Sequence, residues 1–383
     1  MYKYFKALPW YVRYLIYFSV IVIIKVIWII SFNINSEKDI LDRRNLLLYY
    51  LDNGGFRVTN MPSFIGEQFK GEWALVTSSM TVSALTNIVF KYPDIREPSL
   101  LAIEKIIELT INEQADFDKR IWGEHPLYNL EIENGHIGYL GHLNFMLGAY
   151  RLIGGNSNYD ELHHEITKSL IRQLNKASFP YLETYPGEIY TSDNLVVYAS
   201  IRLYDKIYKT DHKNLIAKWK KYTIAHLLDN QTGLIVTTLD STGKGNGISR
   251  GSWAGWDSFY LPFIDTAFAK EQYEKTKKNF IINLPFGMIG CREYKNGESS
   301  RGDIDSGPVI FGISTSGTGF IIAGAIHAKD TLTYNGLLLT AEVIGSSVSW
   351  NNRRHYLFSP LVGDAIVLAM KTACLWDDRF LKK

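Results

Sequence analysis

Cysteine is almost absent: only Cys291 and Cys374 occur in 383 residues, which excludes a disulfide framework and a cysteine-rich metal centre. Fingerprints for metals and nucleotides are missing as well. The nine His are scattered without an HExxH, and neither a Walker A loop nor a Rossmann glycine pattern occurs. Nor does charge of one sign dominate. With 41 Lys and Arg against 39 Asp and Glu the net charge is +2, the signs are interspersed, and no nucleic-acid surface is advertised. No motif requires a cofactor or a metal.

What is present is apolar and aromatic. A 46% hydrophobic and 14% aromatic composition argues against disorder and for aromatic-lined pockets, in one large domain or two ordinary ones. Residues 1–33 stand apart from the rest. From Tyr14 to Phe32 the chain is apolar except for Ser19, Lys25 and Ser31, long enough to cross most of a bilayer. Lys25 opposes that reading, since a lysine at the bilayer centre costs about 2.5–3.5 kcal/mol unless it snorkels or pairs. The segment is otherwise interfacial, or an uncleaved signal anchor. No small-residue cleavage site follows, which favours a retained anchor at 1–33 before a body at 34–383. Lys3, Lys6 and Arg13 before the segment and Lys38, Arg43 and Arg44 after it leave its orientation nearly balanced, with the body expected outside the cytoplasm.

Beyond the anchor, apolar residues recur at helical spacing and strand alternation is scarce. The pattern predicts about twelve helices, near 37–52, 71–91, 96–115, 136–154, 158–175, 192–208, 212–228, 253–268, 270–283, 307–328, 331–347 and 360–377. Links within successive helix pairs are very short: Gly155-Asn156-Ser157, Lys209 to Asp211, Lys329-Asp330. Loops between pairs are long, over 115–135, 176–191, 229–252, 285–306 and 349–359. Short links at one end and long loops at the other suit a closed ring of helical hairpins, an all-α (α/α)6 barrel with the long loops over one mouth.

Those loops carry the chemistry. Phe179 to Asp205 opens as an aromatic, acidic loop with Pro186-Gly187 and becomes an amphipathic helix, with Ser192 or Asp193 expected as N-cap. Glu183, Glu188 and Asp193 then lie by the positive end of a helix dipole, where carboxylate pKa values are tuned. Other loops bring Trp122 with Glu124 and His125, then Glu131, Glu133 and His136, the run from Arg250 through Trp253 and Trp256 to Asp257, and Arg301 to Pro308 with Asp303 and Asp305. His142 follows about a turn down an inner helix. Each has a bland reading, such as a core histidine, a turn with a capping Asp, or Trp253 and Trp256 plugging the barrel. Their convergence on one rim points instead to an active site.

Lys119 to Gly123, the run from Gly141-His142-Leu143-Asn144 to Leu152, and Asn194-Leu195-Val196-Val197-Tyr198-Ala199-Ser200 running to Asp205 resemble the linalool dehydratase/isomerase family. The similarity extends over about 70–377. It implies an (α/α)6 barrel in which His142 is the pocket histidine, acting in that family with cysteines, acids and tyrosines on a tertiary allylic hydroxyl. The family's two active-site cysteines fall near Leu182 to Thr184 and at Asp193, so neither is a cysteine here, and its N-terminal acid has no match.

A carboxylate at Asp193, facing Asp305 or Asp303 across the mouth, supplies acid–base groups in place of thiols. Paired carboxylates in an aromatic cleft suit a glycosidic bond. The expectation is a membrane-anchored barrel enzyme acting on a glycan or lipid-linked glycan, as a hydrolase or a lyase or epimerase. Asp193, Asp305, His142, Glu188 and Asp303 are the expected catalytic groups. Trp122, His136, Tyr185, Tyr190, Asn194, Arg250, Trp253, Trp256 and Asp257 are expected at the substrate. Two alternatives stand: a hydro-lyase or isomerase of a terpenoid alcohol, which needs a small closed apolar pocket, and a polysaccharide-binding module without catalysis.

Overall fold

The computed structural model describes residues 5, 8–31, 34–62, 66–131, 135–295 and 302–381. Glu133 and Arg301, singled out above, lie outside them. After an apolar helix α1 (Trp10–Ser31) come α2 (Glu37–Asp52), α3 (Glu67–Lys91), α4 (Arg96–Leu109), α5 (Ala115–Trp122), α6 (Ile137–Leu152), α7 (Asp160–Lys176) and α8 (Thr191–Tyr208). The second half holds α9 (Lys213–His226), α10 (Gly251–Ile264), α11 (Thr266–Phe280), α12 (Thr315–Phe320), α13 (Ile322–His327), α14 (Thr331–Gly345) and α15 (Leu361–Lys371).

Six positions form an inner ring, in which α3 packs on α6, α6 on α8, α8 on α10, α10 on the broken helix α12–α13, that helix on α15, and α15 back on α3. The ring explains the sequence pattern. An inner helix is covered on all sides, so α6 buries every residue but Gly138 and Arg151, whereas an outer helix such as α7 buries a single face. Gly148 lets α6 approach α8, since a Cβ there would meet Leu203 at 2.8 Å. Three outer helices start from side-chain caps: Ser36 accepts from Asp39 N before α2, Asp265 from Phe268 N before α11, and Asp330 from Thr333 N before α14. Each inner helix begins at the long-loop end, which is therefore the mouth.

The sequence reading needs correction at that mouth. The predicted helix at 307–328 begins only at Thr315, because Gly307 and Gly312 turn the chain with positive φ and Val309–Ile310 pairs with Ile313–Ser314 as β5 and β6. Pro308 thus precedes a strand, not a helix. These strands join β3 (Ile281–Asn283) and β4 (Ile289–Arg292) in a four-stranded antiparallel sheet ordered β3-β4-β6-β5. Two small pairs complete the rim: β1 (Ile189–Tyr190) with β2 (Thr238–Leu239), and β7 (Ser347–Trp350) with β8 (Arg353–Tyr356). The fold remains a helical barrel, with short strands sewing its long loops together. The loop expected over 115–135 carries α5, entered through a π-helical turn at Thr110–Gln114.

Candidate active site

Asp193 is placed by the loop that precedes it. Gly187, at φ 79°, turns the chain so that Glu188 N donates to Tyr185 O at 2.9 Å and Thr184 N donates to Glu188 O at 2.9 Å. Asn194 then ties this loop to α8: its amide accepts from Leu182 N at 2.9 Å and donates to Leu182 O and Tyr190 O at 3.0 and 2.8 Å. Asn194 is therefore a loop clamp, with its donors and acceptor committed to backbone. The helix starts at Thr191 without a side-chain cap, so neither Ser192 nor Asp193 has the expected capping role. Asp193 stands within the first turn, takes a hydrogen bond from the Thr184 side chain, and keeps a partly open edge at the mouth.

Glu72, in the first turns of α3, meets it there. Tyr185 Oη donates to Glu72 Oε2 at 3.1 Å. Burial, then repulsion from Asp305 and Asp193, pushes Glu72 up to about 8 against the pull of that hydrogen bond. Burial likewise raises Asp193 to about 7, opposed by the Thr184 hydroxyl and reinforced by Asp305. Asp305 rises to about 6 through burial and the neighbouring Asp303, with Arg250 restraining it. Three acids thus share one site and one another's fields. Asp257 lies deeper, accepting from Ser192 Oγ at 2.6 Å, and burial lifts it to about 7.

Asp303 and Arg250 brace this arrangement. Asp303 Oδ1 accepts from Asp305 N at 3.1 Å and Ser306 N at 2.9 Å, fixing the turn that presents Asp305. Arg250 Nη2 donates to Asp303 Oδ1 at 2.8 Å while its Nε reaches Glu293 at 2.5 Å. Although burial works to raise it, the Arg250 hydrogen bond holds Asp303 below the usual carboxylate range. An acid so paired stays ionised and is poorly suited to proton transfer. Glu188 is exposed at the rim, accepting from Tyr190 Oη at 2.8 Å.

The histidines differ in the same way. His142 is buried, pairs with Ser79 Oγ at 2.8 Å through Nδ1, and is pushed by burial down to about 4, so it is neutral at physiological pH. Trp256 lies 6.1 Å from it, ring centre to ring centre, inside the barrel. His136 is held by Asp118 at 2.5 Å and stacks obliquely on Trp122 at 4.6 Å, a side cluster behind Tyr185. The Trp122 indole N–H is buried without a hydrogen-bond partner among the described residues. Trp253 and Tyr190, ring centres 5.4 Å apart, and Tyr185 beside them form a half-buried aromatic wall over the acids.

Residues 138–316 match the family model of linalool dehydratase/isomerase. Three solved structures similar to the chain are α/α barrels named as a glycoside hydrolase or a mannanase. A family 105 glycoside hydrolase from C. acetobutylicum ATCC 824 superposes with TM-score 0.57 at 13% identity, covering 86% of this chain and 98% of that one. The α-1,6-mannanase GH76A from Salegentibacter sp. HEL1_6 gives 0.54 at 13%, covering 88% and 99%. An inactive double-aspartate variant of that mannanase, bound to α-1,6-mannotetrose, gives 0.54 at 12% over the same shares. At these identities the likeness establishes the barrel fold.

Within the matched stretch lie His142, Asp193, Asp257 and Asp305, while Glu72 falls N-terminal to it. Glu72 is the chief residue the sequence reading missed. Its signal was an acid at the mouth-facing start of a helix that is otherwise uncharged from Trp73 to Phe90. Ser79, Thr184, Asp118 and Glu293 were missed as well, each acting on a partner remote in sequence. Neither thiol belongs to the site: Cys291 is buried in β4, where burial pushes it well above the ordinary thiol range, and Cys374 follows α15 at the closed end.

Proposed function

We propose that the chain is an acid–base enzyme cleaving glycosidic bonds, anchored to a membrane by α1 with the barrel outside the cytoplasm. The observation that carries this reading is the trio Glu72, Asp193 and Asp305, partly open to the mouth and spread in pKa from about 8 to about 6. Acids whose environments separate them across neutrality divide the work of acid and base. Glu72, protonated at pH 7, donates its proton to the leaving glycosidic oxygen. Asp305, ionised at pH 7, takes a proton from the attacking water or attacks the anomeric carbon, and Asp193 couples the two. One water is added across the broken bond.

Several features favour a sugar over a terpenoid alcohol. The rim is open and polar, with Glu188 and Asp303 exposed and the faces of Tyr190 and Trp253 half-buried. Aromatic faces of this kind stack on sugar rings. No thiol is available for the family's chemistry on linalool. The family match keeps a second reading in view, a hydro-lyase or isomerase in which these acids move water or a proton.

The test uses the full chain in detergent with oligosaccharides, lipid-linked oligosaccharides and allylic terpenoid alcohols, followed by mass spectrometry. Fragments that together gain one water, lost in Asp193→Asn and Asp305→Asn, are expected. Loss of water or an isobaric product supports the second reading. Activity unchanged in both folded variants overturns catalysis by these carboxylates, and no turnover of any substrate class leaves a binding module.

A further inference from the structure

Helix α1 is seated on the outside of the barrel by its C-terminal half. Val22 and Val26 pack on Val343 of α14, with Met288 and Leu339 alongside. Lys25 Nζ donates to Val343 O at 2.9 Å and to Ser346 Oγ. These partners mark the end of α14 nearest the mouth, because α14 starts from the short Lys329-Asp330 link at the closed end and runs up. Further along the chain, Ile34 O accepts from Lys371 Nζ at 2.7 Å, at the end of α15 farthest from the mouth. The chain therefore descends from Lys25 to Ile34. The part of α1 before Val22, residues 10–21, extends past the mouth end of the barrel.

That projecting part is apolar on every side. Tyr14, Leu15, Ile16, Tyr17 and Phe18 are consecutive and all exposed. Successive residues advance about 100° around a helix, so these side chains cover its whole circumference. A groove on a partner protein covers one face of a helix, whereas a lipid phase surrounds it. The polar rim beside it also carries large exposed apolar side chains. Phe311 at the β5–β6 turn is 95% exposed, Phe358 before α15 is 78% exposed, and Ile344, Leu357, Tyr128 and Ile248 are exposed on other segments of the mouth end. Large exposed apolar side chains from separate loops at one end mark an interaction surface.

We infer that the mouth end of the barrel rests on a lipid bilayer, with the first half of α1 embedded in it and the carboxylate site opening towards the membrane surface. The substrate class that fits this geometry is a sugar chain carried on a lipid, presented from the bilayer below the mouth. Lys25 lies at the protein side of this boundary, where two oxygens of the barrel satisfy it, which answers the objection its charge raised. The inference rests on reading α1 as a membrane helix, and it adds which end of the barrel meets the lipid.

The experiment measures depth and not turnover, so it is independent of the reaction catalysed. In full-length protein carrying Cys374→Ser, single substitutions Ile21→Cys, Phe311→Cys, Phe358→Cys and Asn156→Cys are labelled with an environment-sensitive fluorophore. The protein is reconstituted into phosphatidylcholine–phosphatidylglycerol vesicles with and without brominated acyl chains. Labels at 21, 311 and 358 are expected to shift to the blue and to be quenched by bromine, while the label at 156, in the link at the closed end, behaves as in water. Quenching at 21 alone overturns the inference and leaves α1 a membrane helix. Absence of quenching at 21 overturns both.

Discussion

The molecule buries two clusters of charge, and they obey opposite rules. Between α2, α14, α15 and the β7–β8 hairpin, Arg43, Arg354 and Lys371 face Asp39, Glu342 and Asp364. Arg43 reaches Glu342 at 2.5 Å and Asp39 at 3.1 Å, Arg354 reaches Glu342 at 2.8 Å, and Tyr356 Oη donates to Glu342 at 2.8 Å. Burial works to raise Glu342, yet Arg43, Lys371 and Arg354 hold it down to about 2. At the mouth, Glu72, Asp193 and Asp305 are also withdrawn from water, but Arg250 beside Asp305 is the main cation among them and Asp303 already engages it. Burial then prevails and these acids rise to about 8, 7 and 6. Asp364 marks the border of the first cluster: its contact with Arg43 is 4.0 Å, and burial still lifts it to about 7. Close pairing, and not burial, separates an acid such as Glu342 that holds the fold from one that exchanges protons near pH 7.

The comparison breaks most visibly at Glu342. Glu342→Gln leaves Arg43 and Arg354 buried without their shared anion, and losing one partner of a buried pair costs about 3–5 kcal/mol. Chemical denaturation at pH 7 is expected to show a loss of that size, with turnover per folded molecule unchanged. The linkage has a definite sign. A depressed carboxylate contributes stability above its unfolded pKa, near 4.5, and loses it as pH falls towards about 2. Wild type should therefore lose stability over that acid window more steeply than Glu342→Gln, and equal slopes would refute the assignment.

Much of the barrel was legible in the chain because a double ring of helices leaves two marks. One is helical periodicity and the other is the alternation of short links with long Gly- and Pro-bearing loops. The expected site positions Asp193, Asp305, Tyr185, Tyr190 and Trp253 stood out because acids and aromatics clustered in those loops. The rest depends on distance in sequence. Strands of two to four residues such as β5 and β6 show no alternation long enough to detect. Asp39 and Lys371 lie at opposite ends of the chain and look like ordinary surface charges until the ring closes. Glu72 is a lone acid until Tyr185 and Asp193 arrive opposite it, and Asp303 reads like Asp305 until Arg250 is seen to engage it.

The mouth acids sharpen the comparison through pH. Activity per molecule should rise as Asp305 ionises through about 6 and fall as Glu72 loses its proton through about 8, a bell centred near neutrality. Glu72→Gln is expected to lower kcat/KM by about 10²–10⁴-fold, the usual contribution of a general acid, and to erase the alkaline limb while sparing the acid one. Both limbs surviving in Glu72→Gln would remove Glu72 from proton transfer. The profile is read on whichever substrate the product analysis identifies.

The smallest effect is expected at Asp257, which separates the two rules within a single side chain. It is buried, its one hydrogen bond among the described residues is from Ser192 Oγ at 2.6 Å, and burial raises it to about 7. A raised carboxylate binds its proton more tightly in the folded state, so its contribution is full below the unfolded pKa, near 3.8, and is lost as pH climbs through about 7. Asp257→Asn keeps an acceptor for Ser192 and removes the ionisation. Its Tm should sit close to wild type at pH 4 and above it at pH 8, on the scale of about 2–4 °C per kcal/mol for large domains. If Asp257→Asn instead lowers Tm equally at both pH values, Asp257 is ionised and paired in the folded protein and belongs with Glu342, not with the acids of the mouth.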